Sequence, residues 1–355
     1  MRFLLVLVLL ITATAAMAQS GPAERLWSLY KEGRFEDVVR EGKVELATGT
    51  PTAQVNLAVG RALVDLENFA EGLPYLEQAV RSDPGQTWIY AWAQVYLGTG
   101  QYRLGNLPQA RAAFIKARDC AATRNATREA VNNLKILGLA ESYDDWTTFT
   151  TEHFTFHFSA NLTGFDEVTF ARRHEEAYAL ISAWFGGGST KPIRFFVWKD
   201  KDEARTANMP PLGFARPELN LVHAWSGQTV GHEMTHVISR HALQPEHVTG
   251  LINEGVCVHH DQTGRDQMTL AREELAKAPG MKVPVELAAL WEDWSLLPGE
   301  VSYPVGGAWV KVLIDRGGKE NFLEFFRDQR LANAREVYGS DLQSWMDEFT
   351  ADLYR

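Results

Sequence analysis

The sequence has few cysteines, no cluster of basic residues and no long apolar segment beyond its first residues. Only Cys120 and Cys257 occur among 355 residues, too few for a disulfide framework, and we expect buried free thiols. Acidic residues outnumber basic ones by 45 to 35, which gives a formal net charge of -10. This balance argues against nucleic acid as a partner, because neutralising phosphates requires clustered cations.

The one strongly apolar run is N-terminal. Arg2 precedes an apolar run over residues 3–11, and Ala-Met-Ala at 16–18 forms an A-x-A cleavage pattern. This order predicts a secretory signal peptide over residues 1–18; a membrane anchor is the alternative, but spanning a bilayer takes about 20 residues. We therefore expect an exported protein, periplasmic or secreted, with no stable membrane anchor after cleavage.

Three segments in the N-terminal part are similar to one another. They are YKEGRFEDVVREGKVE, VDLENFAEGLPYLEQAV and YRLGNLPQARAAFIKAR, starting at positions 30, 64 and 102. Aligning Phe35, Phe69 and Leu107 gives spacings of 34 and 38 residues, and 34 is the tetratricopeptide period. Small or apolar residues occupy the corresponding helix positions: Val38 and Gly42; Gly72, Leu76 and Ala79; Ala110, Phe114 and Ala117. The first copy is degenerate, with Glu45 in its third position.

These segments resemble tetratricopeptide repeats, with a generic array of helical hairpins as the alternative. Such repeats present surfaces for partner proteins, and a helix at about 124–139 would cap the array. Alternation of polar and aromatic residues from His153 to Phe158 then predicts a β-strand, with His153 and His157 on its solvent face. The expected domains are therefore helical repeats over 20–142 and an α+β domain over 143–355.

Further elements are predicted in the second domain. A helix is expected over about 166–185 and a strand within KPIRFFVWKD, residues 191–200. The segment LGFARPELNLVHAW, residues 212–225, predicts a further strand or a hairpin that turns at Pro217.

Most of the ten histidines lie in TVGHEMTHVISRHALQPEHVTGLINEGVCVHHDQ, residues 229–262. This segment could form a metal site, or its histidines could simply be polar surface residues on two helices. It contains an H-E-x-x-H motif, in which His232 and His236 share one helix face and can converge on one Zn²⁺. Glu233 would lie beside the metal, where it can deprotonate a water molecule. An apolar stripe that includes Met234 and Val237 supports a buried helix.

A third ligand must come from outside the motif. The metzincin pattern fails, because Ala242 stands where its third histidine would be. Glu254 lies eighteen residues after His236, beyond a predicted turn at 244–245. A helical hairpin would bring Glu254 opposite the two histidines.

H-E-M-T-H followed by N-E-G resembles the gluzincin metallopeptidases, most closely the exported peptidase MA-like domains, over roughly Trp146 to the C-terminus. The resemblance implies a domain with a thermolysin-like mixed sheet and helices. It also implies Zn²⁺ held by His232, His236 and Glu254, and peptide hydrolysis by metal-activated water with Glu233 as general base. The substrate would lie antiparallel along an edge strand over residues 212–216.

Two positions qualify the resemblance. Family members carry a carboxylate one turn after the ligand Glu, which orients one of the zinc-binding histidines, and this chain has Val258 there. Asp261, His259 or a backbone carbonyl could substitute for it. The alternative interpretation of His259 and His260 is that they are polar residues near a helix end. The segment that begins GEVSYPVGGAW at residue 299 resembles the later part of the gluzincin domain, where many members have a Tyr or His that donates to the oxyanion, and Tyr303 is the candidate for that role. Its alternative role is a core residue with its hydroxyl at the rim.

Three functions remain open from the sequence. The first is a zinc metallopeptidase acting on peptides or proteins. The second is a peptidase-like scaffold that retains zinc, has little or no activity and binds partner proteins through its repeats. The third is a zinc hydrolase of a non-peptide amide, such as one in cell-wall material. Val258 favours the scaffold, whereas Glu233 favours an enzyme, since a structural zinc has no use for that carboxylate.

Overall fold

The computed structural model describes residues 21–49, 52–277 and 284–355. The chain divides into two compact units, the first ending at Ala140 and the second comprising Glu141–Arg355. The expected signal peptide, residues 1–18, lies outside the described residues. Within the described ranges, no helix is both long and apolar enough to cross a membrane.

Every described element of the first unit is an α-helix. The helices are α1 Pro22–Lys31, α2 Phe35–Thr48, α3 Ala53–Asp65, α4 Phe69–Arg81, α5 Trp88–Arg103, α6 Leu107–Cys120 and α7 Arg124–Ile136. Each helix packs against the next, and α1, α3, α5 and α7 also contact one another in succession. Thr52, Thr87 and Thr123 begin α3, α5 and α7 by accepting a backbone N–H at the helix start.

Small residues allow these helices to approach closely. A Cβ on Gly72 would lie 3.1 Å from the carbonyl oxygen of Gly60, and a Cβ on Gly98 would lie 2.6 Å from the ring of Phe114. The small and apolar positions matched in the three segments are buried. The helices of this unit therefore pack together through the small and apolar positions that the three segments share.

The second unit contains a mixed five-stranded sheet. Its strands are β1 Thr147–Thr150, β2 Phe154–Phe158, β3 Ile193–Trp198, β4 Phe214–Arg216 and β5 Leu221–Trp225, in the order β1-β2-β3-β5-β4. Strands β2, β3 and β5 are parallel, while β1 and β4 pair antiparallel at the two edges. The α+β class is confirmed, as is the hairpin that turns at Pro217 between β4 and β5.

Helices surround the sheet. They are α8 Glu167–Phe185, α9 Lys201–Thr206, α10 His232–Leu243, α11 Gly250–His259, α12 Gln267–Ala276, α13 Leu287–Glu292, α14 Gly299–Gly317, α15 Lys319–Phe325, α16 Leu331–Tyr338 and α17 Asp341–Leu353. Phe154, Phe156 and Phe158 lie in the core of this unit, as the alternation in β2 predicts. Cys257 is buried and free, whereas Cys120 in the first unit is free but only half-buried.

The prediction that His153 and His157 share a solvent face is wrong. His157 lies opposite the phenylalanines, but its face of the sheet is covered. The His157 ring stacks on Phe196 with a centroid separation of 4.6 Å, and Tyr143 and Trp146 pack against Phe196 in turn. Aromatic residues that precede β1 therefore fold back over the sheet.

His153 lies just before β2, on the side of the sheet that α8 covers. Its ring stacks on Tyr178 of α8 with centroids 4.1 Å apart, and its Nδ1 is 2.6 Å from the carboxylate of Glu175. Alternation places side chains correctly only within a strand, and this residue is outside it.

Candidate metal centre

A backbone constraint sets the start of α10. Gly231 precedes the helix with a φ of +106°, and a Cβ there would lie 2.5 Å from the carbonyl oxygen of His260. The backbone N–H of Gln262 donates to the carbonyl of Val230 at 2.9 Å. The segment after α11 therefore packs against the start of α10, where glycine alone fits. The helix ends with Gln244 in the left-handed conformation, at the turn the sequence predicts.

The hairpin of α10 and α11 brings three potential ligands together. The Nε2 atoms of His232 and His236 lie 3.3 Å and 3.5 Å from Oε2 of Glu254. All three ligand atoms are within 4.8 Å of one another. Tetrahedral Zn²⁺ with bonds of about 2.0–2.1 Å would hold its ligand atoms roughly 3.3–3.4 Å apart. The donor types and spacing therefore fit this ion.

The charge state of Glu254 suits a ligand. Burial acts to raise its pKa, but hydrogen bonds and charge from His232 and His236 outweigh that effect and lower the pKa to about 2. A carboxylate must be deprotonated to bind a metal ion. Glu254 meets that condition at neutral pH.

Glu233 lies beside the three potential ligands and is only 6% exposed. Burial raises its pKa to about 7; the charge of His232 opposes this rise and that of Glu254 adds to it. Gln228 donates from Nε2 to Oε1 of Glu233 at 3.3 Å. A buried carboxylate with a pKa near neutral can both accept and return a proton, as general acid–base catalysis requires.

Asn253 is a member of the site that the sequence analysis did not single out. Its side-chain Nδ2 lies 3.1 Å from Nδ1 of His236. If His236 binds a metal through Nε2, its Nδ1 carries a hydrogen, and the Asn253 amide accepts that hydrogen only after a half-turn that exchanges its oxygen and nitrogen. The only signal in the sequence is its place directly before Glu254.

Asp261, one of the substitutes considered for the carboxylate absent at Val258, has other partners. Val258 is itself buried. The carboxylate of Asp261 accepts from the backbone N–H and the hydroxyl of Thr263 and pairs with Arg265 at 3.4 Å. His260 packs on Trp184 with ring centroids 4.6 Å apart. Asp261 is therefore engaged with Thr263 and Arg265, and His260 with Trp184.

Close packing of α14 on α11 brings Tyr303 to the site. A Cβ on Gly255 would lie 2.5 Å from the carbonyl oxygen of Gly306, so the two helices cross in near contact. The Tyr303 ring centroid is 5.9 Å from that of His232. Burial, with the charges of Glu254 and Glu233, raises the pKa of Tyr303 to about 12. Its hydroxyl therefore keeps its hydrogen at neutral pH and can donate it.

A cleft of about 480 Å³ opens over these residues. His232, Glu233 and Tyr303 line it, together with Leu212 and Gly213, which immediately precede the edge strand β4. Leu212 is 54% exposed. The cleft therefore connects the candidate ligands to a sheet edge at which an extended chain could add.

Comparison with models of known protein families gives no match for this chain, and comparison with curated proteins gives none either. Function is therefore inferred from the side chains themselves.

Proposed function

We propose that this protein is an exported zinc metallopeptidase of the gluzincin type, with Zn²⁺ held by His232, His236 and Glu254. One observation carries the proposal. Two imidazole Nε2 atoms converge at 3.3 Å and 3.5 Å on one carboxylate oxygen, and the carboxylate of Glu233 is buried next to them. Retention of an additional acid at that place is expected of a hydrolytic site and has no purpose in a structural one.

Zn²⁺ bound there would supply Lewis acidity, which lowers the pKa of water and polarises a carbonyl. Glu233 accepts the proton of the attacking water and returns it to the leaving amine, so that the peptide bond breaks without a free amide anion. Tyr303 donates its hydroxyl hydrogen to the oxygen that gains negative charge. Asn253 fixes the orientation of the His236 ring.

The edge strand provides a way to bind the substrate. Strand β4 is last in the sheet order and pairs with β5. An extended peptide can pair antiparallel with residues 212–216 and cross the cleft in front of Glu233. The mixed sheet followed by the two ligand-bearing helices supports a thermolysin-like domain.

The first unit is proposed to be a tetratricopeptide-like array that binds a partner protein. Sequential packing of α1–α7 and burial of the repeated small positions support this. Export is proposed from the pattern of residues 1–18 alone.

The test compares wild type with Glu233→Gln in zinc content and in cleavage of a broad peptide library. Because Glu233 is not among the three ligands, the variant should keep its fold and zinc while cleavage falls by about 10²–10⁴-fold. Glu336→Gln is the matched control, as Glu336 is exposed and is not among the residues that line the cleft, and it should leave activity unchanged.

Other outcomes would change the assignment. Loss of zinc in Glu233→Gln would make Glu233 a ligand. Equal cleavage by wild type and Glu233→Gln would place the activity elsewhere. If wild type binds zinc but cleaves no peptide, the scaffold becomes the better account, unless assays on cell-wall amides detect hydrolysis that Glu233→Gln abolishes.

A further inference from the structure

A second, much smaller cavity lies on the interior side of Glu233. It measures about 10 Å³ and is bounded by residues of α8, β3, β5 and the start of α10. Phe170, Phe195 and Met234 form much of its apolar wall. His174, Gln228 and Glu233 contribute polar groups. The cavity is therefore lined both by the buried carboxylate of Glu233 and by His174, which is not one of the potential metal ligands.

The orientation of His174 is defined by its hydrogen bond. Its Nδ1 lies 2.8 Å from the carbonyl oxygen of Phe170. A carbonyl can only accept, so Nδ1 carries the hydrogen and Nε2 of the neutral ring is an acceptor. The ring is 3% exposed and packs between Phe170 and Phe195, with centroids at 4.0 Å and 5.0 Å. His174 is therefore a buried acceptor in a fixed position.

The size and lining of the cavity suit one water molecule. A void of roughly 10–15 Å³ accommodates one water, which requires two to four polar partners. Nε2 of His174 and the carboxylate of Glu233 can each accept a hydrogen bond, and a water molecule has two hydrogens to donate. The side-chain amide of Gln228 offers a further partner.

We propose that one buried water bridges His174 to Glu233, and that His174 and Gln228 are positioning residues for the Glu233 carboxylate. This rests on the proposed function, in which Glu233 is the general base. Gln228 holds Oε1 directly at 3.3 Å, and the water bridge holds the carboxylate from the interior side. The carboxylate is then anchored from within the protein and remains open to the cleft in front of the ligands.

A high-resolution crystal structure of the wild-type protein tests the bridge without any assay of activity. One ordered water should lie within hydrogen-bonding distance of both Nε2 of His174 and the Glu233 carboxylate. A dry or collapsed cavity, or an Nε2 that bonds to another group, would overturn the proposal. This measurement stands even if variants of His174 fail to fold.

Kinetics test the positioning role. His174→Phe removes the acceptor and should lower kcat by about tenfold, with KM and zinc content unchanged, because contacts that support a catalytic group typically contribute 10–100-fold. His174→Gln retains a polar end and should recover most of that loss. His157→Phe is the matched control, since its ring also stacks on phenylalanine but on the opposite face of the sheet.

Equal losses in His174→Phe and His157→Phe would show a general packing effect and contradict the role. A loss in His174→Gln as large as that in His174→Phe would also contradict it. A wild-type protein that cleaves no peptide would count against the proposed function alone, and the crystal structure would still decide whether the water bridge exists.

Discussion

Gly213 lies against the carboxylate of Glu233. A Cβ built on Gly213 would be 2.5 Å from Oε1 and 2.9 Å from Cδ of that side chain. Because Gly213 immediately precedes the edge strand β4, the segment proposed to bind substrate and the proposed general base are in contact. Only a residue without a side chain leaves Glu233 where it is.

Gly213→Ala should therefore displace Glu233 while leaving the three ligands in place. We expect kcat to fall by up to about 10²-fold, since a displacement of 1 Å at a reacting group can have that effect, with zinc content unchanged. Gly187→Ala is the control, because a Cβ there meets only the Cβ of Ala242, at 3.9 Å. Steady-state kinetics with metal analysis checks this, and full activity in Gly213→Ala would contradict it.

Removing Glu254 should remove the metal. Wild type is expected to bind about one zinc per chain, and Glu254→Ala leaves two protein ligands, so most of the zinc should be lost on dialysis. Atomic absorption of both proteins measures this. Glu300→Ala, which removes an exposed carboxylate from the same cleft, should retain zinc. Full occupancy in Glu254→Ala would mean that another residue is the third ligand.

Tyr303→Phe tests the proposed oxyanion donor. Loss of one such donor typically lowers kcat by about 10²–10³-fold, and the zinc content and folding should be unchanged. Tyr338→Phe is the control, because the buried hydroxyl of Tyr338 has no hydrogen-bond partner among the described residues and its removal should leave kcat unchanged. If Tyr303→Phe is as active as wild type, Tyr303 is a packing residue at the rim of the cleft.

Acid should destabilise the second unit before most carboxylates titrate. Burial lowers the pKa of His174 and of His157 from 6.5 to about 4, with the charge of Arg194 also acting on His157. The unfolded chain takes up these protons near pH 6.5 whereas the folded one does not. Stability present above pH 6.5 is therefore lost as the pH falls towards 4, by on the order of 3 kcal/mol for the buried His174 and by less for His157, which is only partly buried.

Urea unfolding at pH 7 and pH 5 measures this loss for wild type and His157→Phe. The variant lacks one of the histidines whose pKa is lowered by burial, so its free energy of unfolding should depend less steeply on pH. An equal dependence in the two proteins would show that His157 is already protonated when folded, or that it is equally protected in the unfolded chain.

Local sequence patterns predicted much of the architecture. The strand around Phe156, the hairpin at Pro217 and the helix that contains the H-E-x-x-H motif all follow from periodicity and turn residues, which act over a few positions. The failure at His153 and His157 has a different cause. Whether a sheet face is exposed depends on Tyr143 and Trp146, which fold over it from outside the strands, and no pattern within β2 contains that information.

Within the candidate site, the sequence by itself determined that His232 and His236 share one face of a helix, because residues four apart lie one turn from each other. Its spacing and the predicted turn at 244–245 also indicated Glu254, and resemblance indicated Tyr303. Tertiary structure decided the rest: the distances at which Glu254 meets the two histidines, the contact of Asn253 with His236, the contact of Gly213 with Glu233, and the small cavity that His174 and Glu233 share. Those contacts depend on helix crossings and on backbone approaches closer than a Cβ permits, and such distances are set by packing between segments far apart in the chain.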